Sequence, residues 1–295
     1  MPARTVRAAL SIAGSDSGGG AGIQADLKAF ARCGVHGTTA ITALTAQNTT
    51  GVSAVHAVPG EFIVEQVRAV VSDIRIDAVK IGMLGTPETV AAVASALELI
   101  GDDVPVVIDT VMVAESGAVL LDEPARLALV EQLLTRATVI TPNLPEARIL
   151  ARTAGFDGGD DNGSDAEADG LARALRSLGP QVVVVTGGHR EEIVDVFFDG
   201  DVVEHISGTR HADGAAHGSG CTHSSALAAH LALGFAPLEA ARRAKVVAAE
   251  AVRNGLRDIG QGAGPVDALG ILGESRAHSE AAGAGGSITP VSALA

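Results

Sequence analysis

The chain has 295 residues, enough to bury a full core as one large α/β domain or two small ones. Hydrophobic residues make up 47% and charged residues 19%, while a net charge of −14 disfavours nucleic acid and anionic membrane surfaces as partners. With no Trp and no Tyr, the core falls to Ala, Val, Leu and Ile, and binding by stacking on single-stranded nucleic acid is disfavoured.

Short β-branched runs at 8–13, 38–45, 78–81, 105–109, 138–141 and 182–186 are the expected strands, alternating with helical segments. In one such segment Ile63, Val67, Val70, Val71 and Ile74 fall on a single helical face. Apolar strands separated by helices imply a parallel sheet buried on both faces, with right-handed crossovers. The pattern breaks twice. Residues 52–58 follow a strand with no room for a helix, and 193–198 and 202–206 flank Asp199-Gly200-Asp201, a hairpin signature. Both breaks read as antiparallel additions at a sheet edge or lid. Two long helices close the body, the second opened by Pro237 with Ala240, Ala244, Val247, Ala248 and Ala251 on one face.

Residues 1–275 read as one domain, without internal repeat or dividing linker. The Gly- and Asp-rich stretch 157–165 does not have EF-hand spacing and is expected to be a solvated connection; 276–295 is expected to be a disordered tail. Cys33 and Cys221 lack metal-ligand spacing, and so few thiols suit a reducing cytoplasm. No stretch is apolar for long enough to span a bilayer, and no signal-peptide pattern opens the chain.

Three segments carry chemistry. G-S-D-S-G-G-G-A-G-I-Q-A-D-L-K at 14–28 joins the first strand to the first helix, where glycines let backbone approach a ligand. It does not fit G-x-G-x-x-G, because Ile23 stands at the third glycine. H-G-S-G-C-T-H-S-S-A-L-A-A at 217–229 runs glycines into a helix start, so N–H groups of 218–221 and the helix dipole form an anion site. No lysine follows in a G-K-[ST] setting, so this is a phosphate cradle of another type than the P-loop. The same dipole is expected to lower the pKa of Cys221 and leave a thiolate near neutral pH. T-P-N-L-P-E-A at 141–147 offers Asn143 and Glu146, which either order the water shell of Mg²⁺ or merely cap the next helix.

Further segments are T-A-L-T-A-Q-N-T at 42–49, K-I-G-M-L at 80–84, D-T-V-M-V-A-E-S-G at 109–117 and I-G-Q-G-A-G-P-V-D at 259–267. Together these resemble the hydroxymethylpyrimidine and phosphomethylpyrimidine kinases of thiamine biosynthesis, a ribokinase-like branch, over about 8–270. The resemblance implies a three-layer α/β/α sandwich with a mostly parallel sheet and a small antiparallel edge or lid. It also implies a cytoplasmic homodimer that uses ATP and Mg²⁺. Gln47 would read the pyrimidine ring, with Met83 and Val111 packing beside it and Asp26 and Gly14 completing the pocket. Cys221 would accept the hydroxymethyl proton, beside backbone N–H groups of Gly218, Ser219 and Gly220. Asp109, Asn143, Thr186 and Gly187 would lie at ATP, and Glu146 would hold Mg²⁺ through water. Glu115 and Thr186 stand where many members carry Lys, with Arg190 as an alternative source of charge, and His223 stands where an apolar residue is usual. The rival readings are a pyridoxal or pyridoxine kinase of the same branch and a non-catalytic vitamin-binding module.

Overall fold

The computed structural model describes residues 5–112, 120–156, 163–188, 193–211 and 215–271. In chain order the strands are β1 (Ala8–Ala13), β2 (His36–Ile41), β3 (Ala43–Asn48), β4 (Gly51–Ala57), β5 (Ala78–Ile81), β6 (Val106–Ile108), β7 (Val139–Ile140), β8 (Val182–Val185), β9 (Val194–Phe198) and β10 (Val203–Ser207). The helices are α1 (Gly22–Arg32), α2 (Gly60–Val71), α3 (Pro87–Leu97), α4 (Glu123–Gln132), α5 (Leu144–Thr153), α6 (Asp165–Arg176), α7 (Ser219–Ala232) and α8 (Pro237–Arg253). One eight-stranded sheet runs β10-β9-β8-β7-β6-β5-β1-β2. It is parallel from β2 to β8, and the β9–β10 hairpin extends it antiparallel at one edge.

Successive strand residues face opposite layers, so each strand feeds two cores. Leu10, Ile12, Val79, Ile81, Val183 and Val185 join one cluster with Ile63, Val67, Val90, Ala147 and Leu171 of α2, α3, α5 and α6. Ala9, Ala78, Val107, Val182 and Val184 join the other with Phe30 of α1, Leu227 of α7 and Ala240 of α8. Helices on both faces explain why the central parallel strands are almost wholly apolar, with Ser11 and Lys80 as the exceptions in β1 and β5. Among the described residues no helix is long and apolar enough to cross a membrane.

The stretch 38–45 is not one strand. Gln66 of α2 holds both backbone groups of Ile41, donating to its carbonyl and accepting from its N–H. The chain then turns at Thr42, whose hydroxyl donates to the Met83 carbonyl. No glycine or proline marks that corner in the sequence. Beyond it, β3 and β4 pair antiparallel as a separate two-stranded sheet, with a bulge between Ala46 and Gln47. Of the stretch 157–165, residues 157–162 lie outside the described residues, as does the tail 276–295. Asp165 is helical rather than loop, because Ser164 caps α6 by accepting from the Glu167 N–H.

Candidate active site

A cavity of about 370 Å³ opens at the carboxyl ends of the parallel strands. The β1–α1 loop forms one wall and is held to β3: the Ser15 N–H donates to the Ala43 carbonyl, and the Thr45 and Gln47 N–H groups donate to Ser15 and Ser17 hydroxyls. This turns Gln47 of β3 into the cavity beside Gly14, Met83 and Val111. The Gln47 amide makes no hydrogen bond within the described residues, so both its donors and its acceptor remain for a ligand. A Cβ at Gly14 would meet the terminal methyl of Met83, so glycine there lets Met83 keep its place on the cavity wall.

The loop is organised by Asp16. Its carboxylate accepts from the N–H groups of Gly18, Gly20 and Ala21, and His217 Nε2 lies 3.0 Å from its Oδ2. Burial would raise its pKa, but these hydrogen bonds, led by His217, outweigh burial and hold it below the usual carboxylate range. The pair ties the first Gly-rich loop to the second.

That second loop ends at the start of α7. The N-cap is Gly218 at φ 85°, with no side-chain cap, so the Ser and Thr of the motif do not close the helix end. The Ser219 N–H is spent on the Ala216 carbonyl, whereas the Gly218, Gly220 and Cys221 N–H groups have no backbone acceptor among the described residues. Three open donors at the positive end of a 14-residue helix make an anion cradle facing the cavity.

Cys221 is not the thiolate expected from the helix dipole. Burial pushes its thiol up to about 12, the Asp109 and Asp26 charges push the same way, and Lys80 and the Gly22 N–H offset only part. Both cysteines are free, and burial likewise raises Cys33, packed between helices, to about 11.

Behind Cys221 lies a charge network. Strand parity puts Ser11 and Lys80 on the α1/α7 face, where Asp26 accepts from Ser11 (2.6 Å), Lys80 (2.9 Å) and Ser225 (2.7 Å). Asp26 and Lys80 are fully buried, so Asp26 supports the pocket from the layer beneath and does not touch its space. Lys80 Nζ is also 3.7 Å from Asp109 Oδ2, which accepts from the Ser224 hydroxyl. Burial alone would depress the Lys80 pKa, but the Asp26 carboxylate, with Asp109 behind it, outweighs burial and holds the ammonium charged. Burial raises the Asp109 pKa, with Lys80 opposing.

Asn143 caps α5 in a capping box with Glu146, and both residues also line the cavity. Glu146 accepts from Thr110, the Met112 N–H and the Asn143 N–H; burial first and then the Asp109 charge push it up to about 7. Among the described residues no group of three or more His, Cys, Asp or Glu could hold a metal alone. Mg²⁺ in phosphoryl transfer takes only one or two carboxylates, the rest being phosphate and water. Two carboxylates on one wall with surplus negative charge fit that demand, and the three hydrogen bonds on Glu146 leave it room for a water contact.

At the far end Thr186 lines the cavity, while Gly187 is buried behind the wall. The Gly187 N–H donates to Asp195 Oδ1, and a Cβ there would overlap the Val194 backbone. Glu115 and Arg190 lie outside the described residues. Sequence reasoning gave no role to Asp16, Lys80, Ser224 or Asp195. The one local signal was Asp16 amid the glycines, where a short acceptor can gather loop N–H groups.

Residues 16–267 match the family model described as Phosphomethylpyrimidine kinase. A hydroxymethylpyrimidine/phosphomethylpyrimidine kinase of Rhizobium meliloti (strain 1021) is 48% identical over 261 residues, 88% of this chain and 95% of that protein. Among solved structures, phosphomethylpyrimidine kinase from Clostridium difficile 630 aligns at TM-score 0.72 and 37% identity, over 83% of this chain and 99% of the other. Pyridoxal kinase from Staphylococcus aureus in complex with AMP-PCP aligns at TM-score 0.80 and 33% identity, covering 91% and 95%.

Proposed function

The chain belongs to the phosphomethylpyrimidine kinase family, with a ribokinase-like fold, and from that premise we propose that it uses ATP to phosphorylate hydroxymethylpyrimidine, its monophosphate, or both, on the route to thiamine diphosphate. The observation that carries the reading is one cavity joining an uncapped helix start to a free amide at Gln47. The similar S. aureus pyridoxal kinase was solved with AMP-PCP, which supports ATP as donor. Residues 1–275 act as one kinase unit in this reading.

Gln47 pairs with the aminopyrimidine edge, and Met83 and Val111 pack on the ring. The hydroxymethyl then lies toward Cys221, and the Gly218, Gly220 and Cys221 N–H groups take the charge of the transferred oxygens. Glu146 and Asp109 would hold Mg²⁺ through water, where it would supply charge neutralisation at the ATP phosphates. Asn143 and Thr186 face the nucleotide. Because burial keeps Cys221 a thiol, it cannot wait as a base. It can pass a proton if its own moves on in the same step. The hydroxymethyl proton would go to sulfur as the thiol proton passes through a water to Asp109, the carboxylate whose charge bears on that thiol.

Gln47→Leu keeps size and deletes the polar head. It should weaken pyrimidine binding by about 1–3 kcal/mol, roughly 5- to 150-fold, and leave MgATP binding unchanged. Calorimetric titration of each ligand checks this; equal weakening of both would remove β3 as the base-reading wall.

The pyridoxal reading keeps one observation, the fold match to S. aureus pyridoxal kinase. The Gln47 amide favours the pyrimidine, whose ring nitrogen and amino group use both its acceptor and donors. A homodimer is part of this reading, in which a second copy covers the β3–β4 face that bears Val55, 55% exposed.

A further inference from the structure

His223 is a buried polar side chain on the cavity wall that the reaction above does not use. It lies in α7 four residues past Ser219, and helical side chains tilt toward the N-terminus, so its ring lies over the turn bearing the free Gly220 and Cys221 N–H groups. It lines the same cavity. Both ring nitrogens are buried without a hydrogen-bond partner. The side chain is 6% exposed, and what reaches the cavity is therefore carbon.

Two charged groups face the ring: Asp195 of β9, whose Oδ2 is 3.5 Å from Nε2, and Lys245 of α8. Asp195 Oδ1 is already taken by Lys245 Nζ and the Gly187 N–H. The two lysines that line the cavity are thus both tied to carboxylates, Lys245 to Asp195 and Lys80 to Asp26. A half-turn about χ2 preserves the shape of an imidazole and exchanges its carbon edge for its nitrogen edge. No hydrogen bond opposes that turn in the empty chain.

We propose that His223 is a nucleotide-binding residue that turns a ring nitrogen onto the ATP phosphates and supplies, as imidazolium, a charge the tethered lysines cannot give. The inference rests on the kinase reading above. A buried imidazole with no hydrogen bond, only the 3.5 Å approach of Asp195 Oδ2, costs stability in the empty chain, and a hydrogen bond to phosphate recovers it. Burial holds the free ring below its ordinary pKa, with Lys245 adding to burial and Asp195 opposing it. A phosphate partner raises it. The gain in affinity is then complete below the free pKa and lost as pH rises through the bound pKa.

The test is calorimetric titration of MgATP, adenosine and the pyrimidine alcohol into wild type, His223→Leu and His223→Gln. The expected result is MgATP binding weakened about 10-fold or more in His223→Leu, with adenosine and pyrimidine unchanged. Wild-type MgATP affinity should fall between about pH 6 and 8 by more than in either variant, whose remaining slope is that of the nucleotide itself. The unfolding midpoint of His223→Leu should equal or exceed that of wild type. MgATP binding as tight in His223→Leu as in wild type would overturn the inference and leave the kinase reading standing. A lowered midpoint with unchanged affinity would overturn it too, by making the residue structural. Wild type that bound no MgATP at all would instead overturn the kinase reading.

Discussion

Gly218→Ala is expected to lower kcat/KM by about 10²-fold or more, the loss falling on kcat. Gly218 holds φ 85°, a left-handed conformation that costs a residue with a Cβ about 1–2 kcal/mol. The larger effect is steric: an added Cβ would overlap the Gly20 carbonyl oxygen, which belongs to the other Gly-rich loop. Either loop must move, and the Gly220 and Cys221 N–H groups lose their common aim. Removing one donor of this kind costs about 10²–10³-fold in kcat elsewhere, so losing two sets the scale. Pyrimidine binding at Gln47 should change little. Steady-state kinetics beside titration of the alcohol checks the split. A Gly218→Ala enzyme with normal kcat would mean that the helix start does not carry the developing charge.

Cys221→Ala is expected to lower kcat by about 10²-fold, typical of a lost proton-transfer group, without loosening the pyrimidine. Asp109→Asn should do similar damage, because it removes the group that receives the thiol proton. The pH profile separates this relay from a free thiolate. With the thiol at about 12, prior ionisation would make kcat climb tenfold per unit from about pH 7 to 9. The relay instead predicts a flat profile there. Cys221→Ala turning over normally would leave Asp109 to take the proton directly.

The layered fold was legible because its signals are local. The runs at 8–13 and 78–81 became β1 and β5 unchanged, and Asp199-Gly200-Asp201 joins β9 to β10. The corner at Thr42 was not legible, since it depends on Gln66 reaching from α2. Within the site, glycines before a helix indicated a cradle over 218–221; among the described residues the Gly218, Gly220 and Cys221 N–H groups have no backbone acceptor, and that of Ser219 is spent. Sequence reasoning misjudged Cys221, because the helix dipole is a local cue and desolvation is a tertiary one. It set Asp26 at the substrate, yet three partners from β1, β5 and α7 hold it beneath the floor. Gly187 was set at the nucleotide and lies behind the wall for a similar reason: Asp195 and the Val194 backbone enclose it. Long-range hydrogen bonds of this kind leave no periodicity to read.

The most direct test of the whole account is a product assay. The purified chain is incubated with MgATP and either hydroxymethylpyrimidine or pyridoxal, and phosphorylated products are separated and quantified. The account predicts ATP-dependent formation of phosphorylated pyrimidine, with pyridoxal turned over more slowly. Phosphorylation of pyridoxal alone, or no ATP turnover with either alcohol, would contradict it.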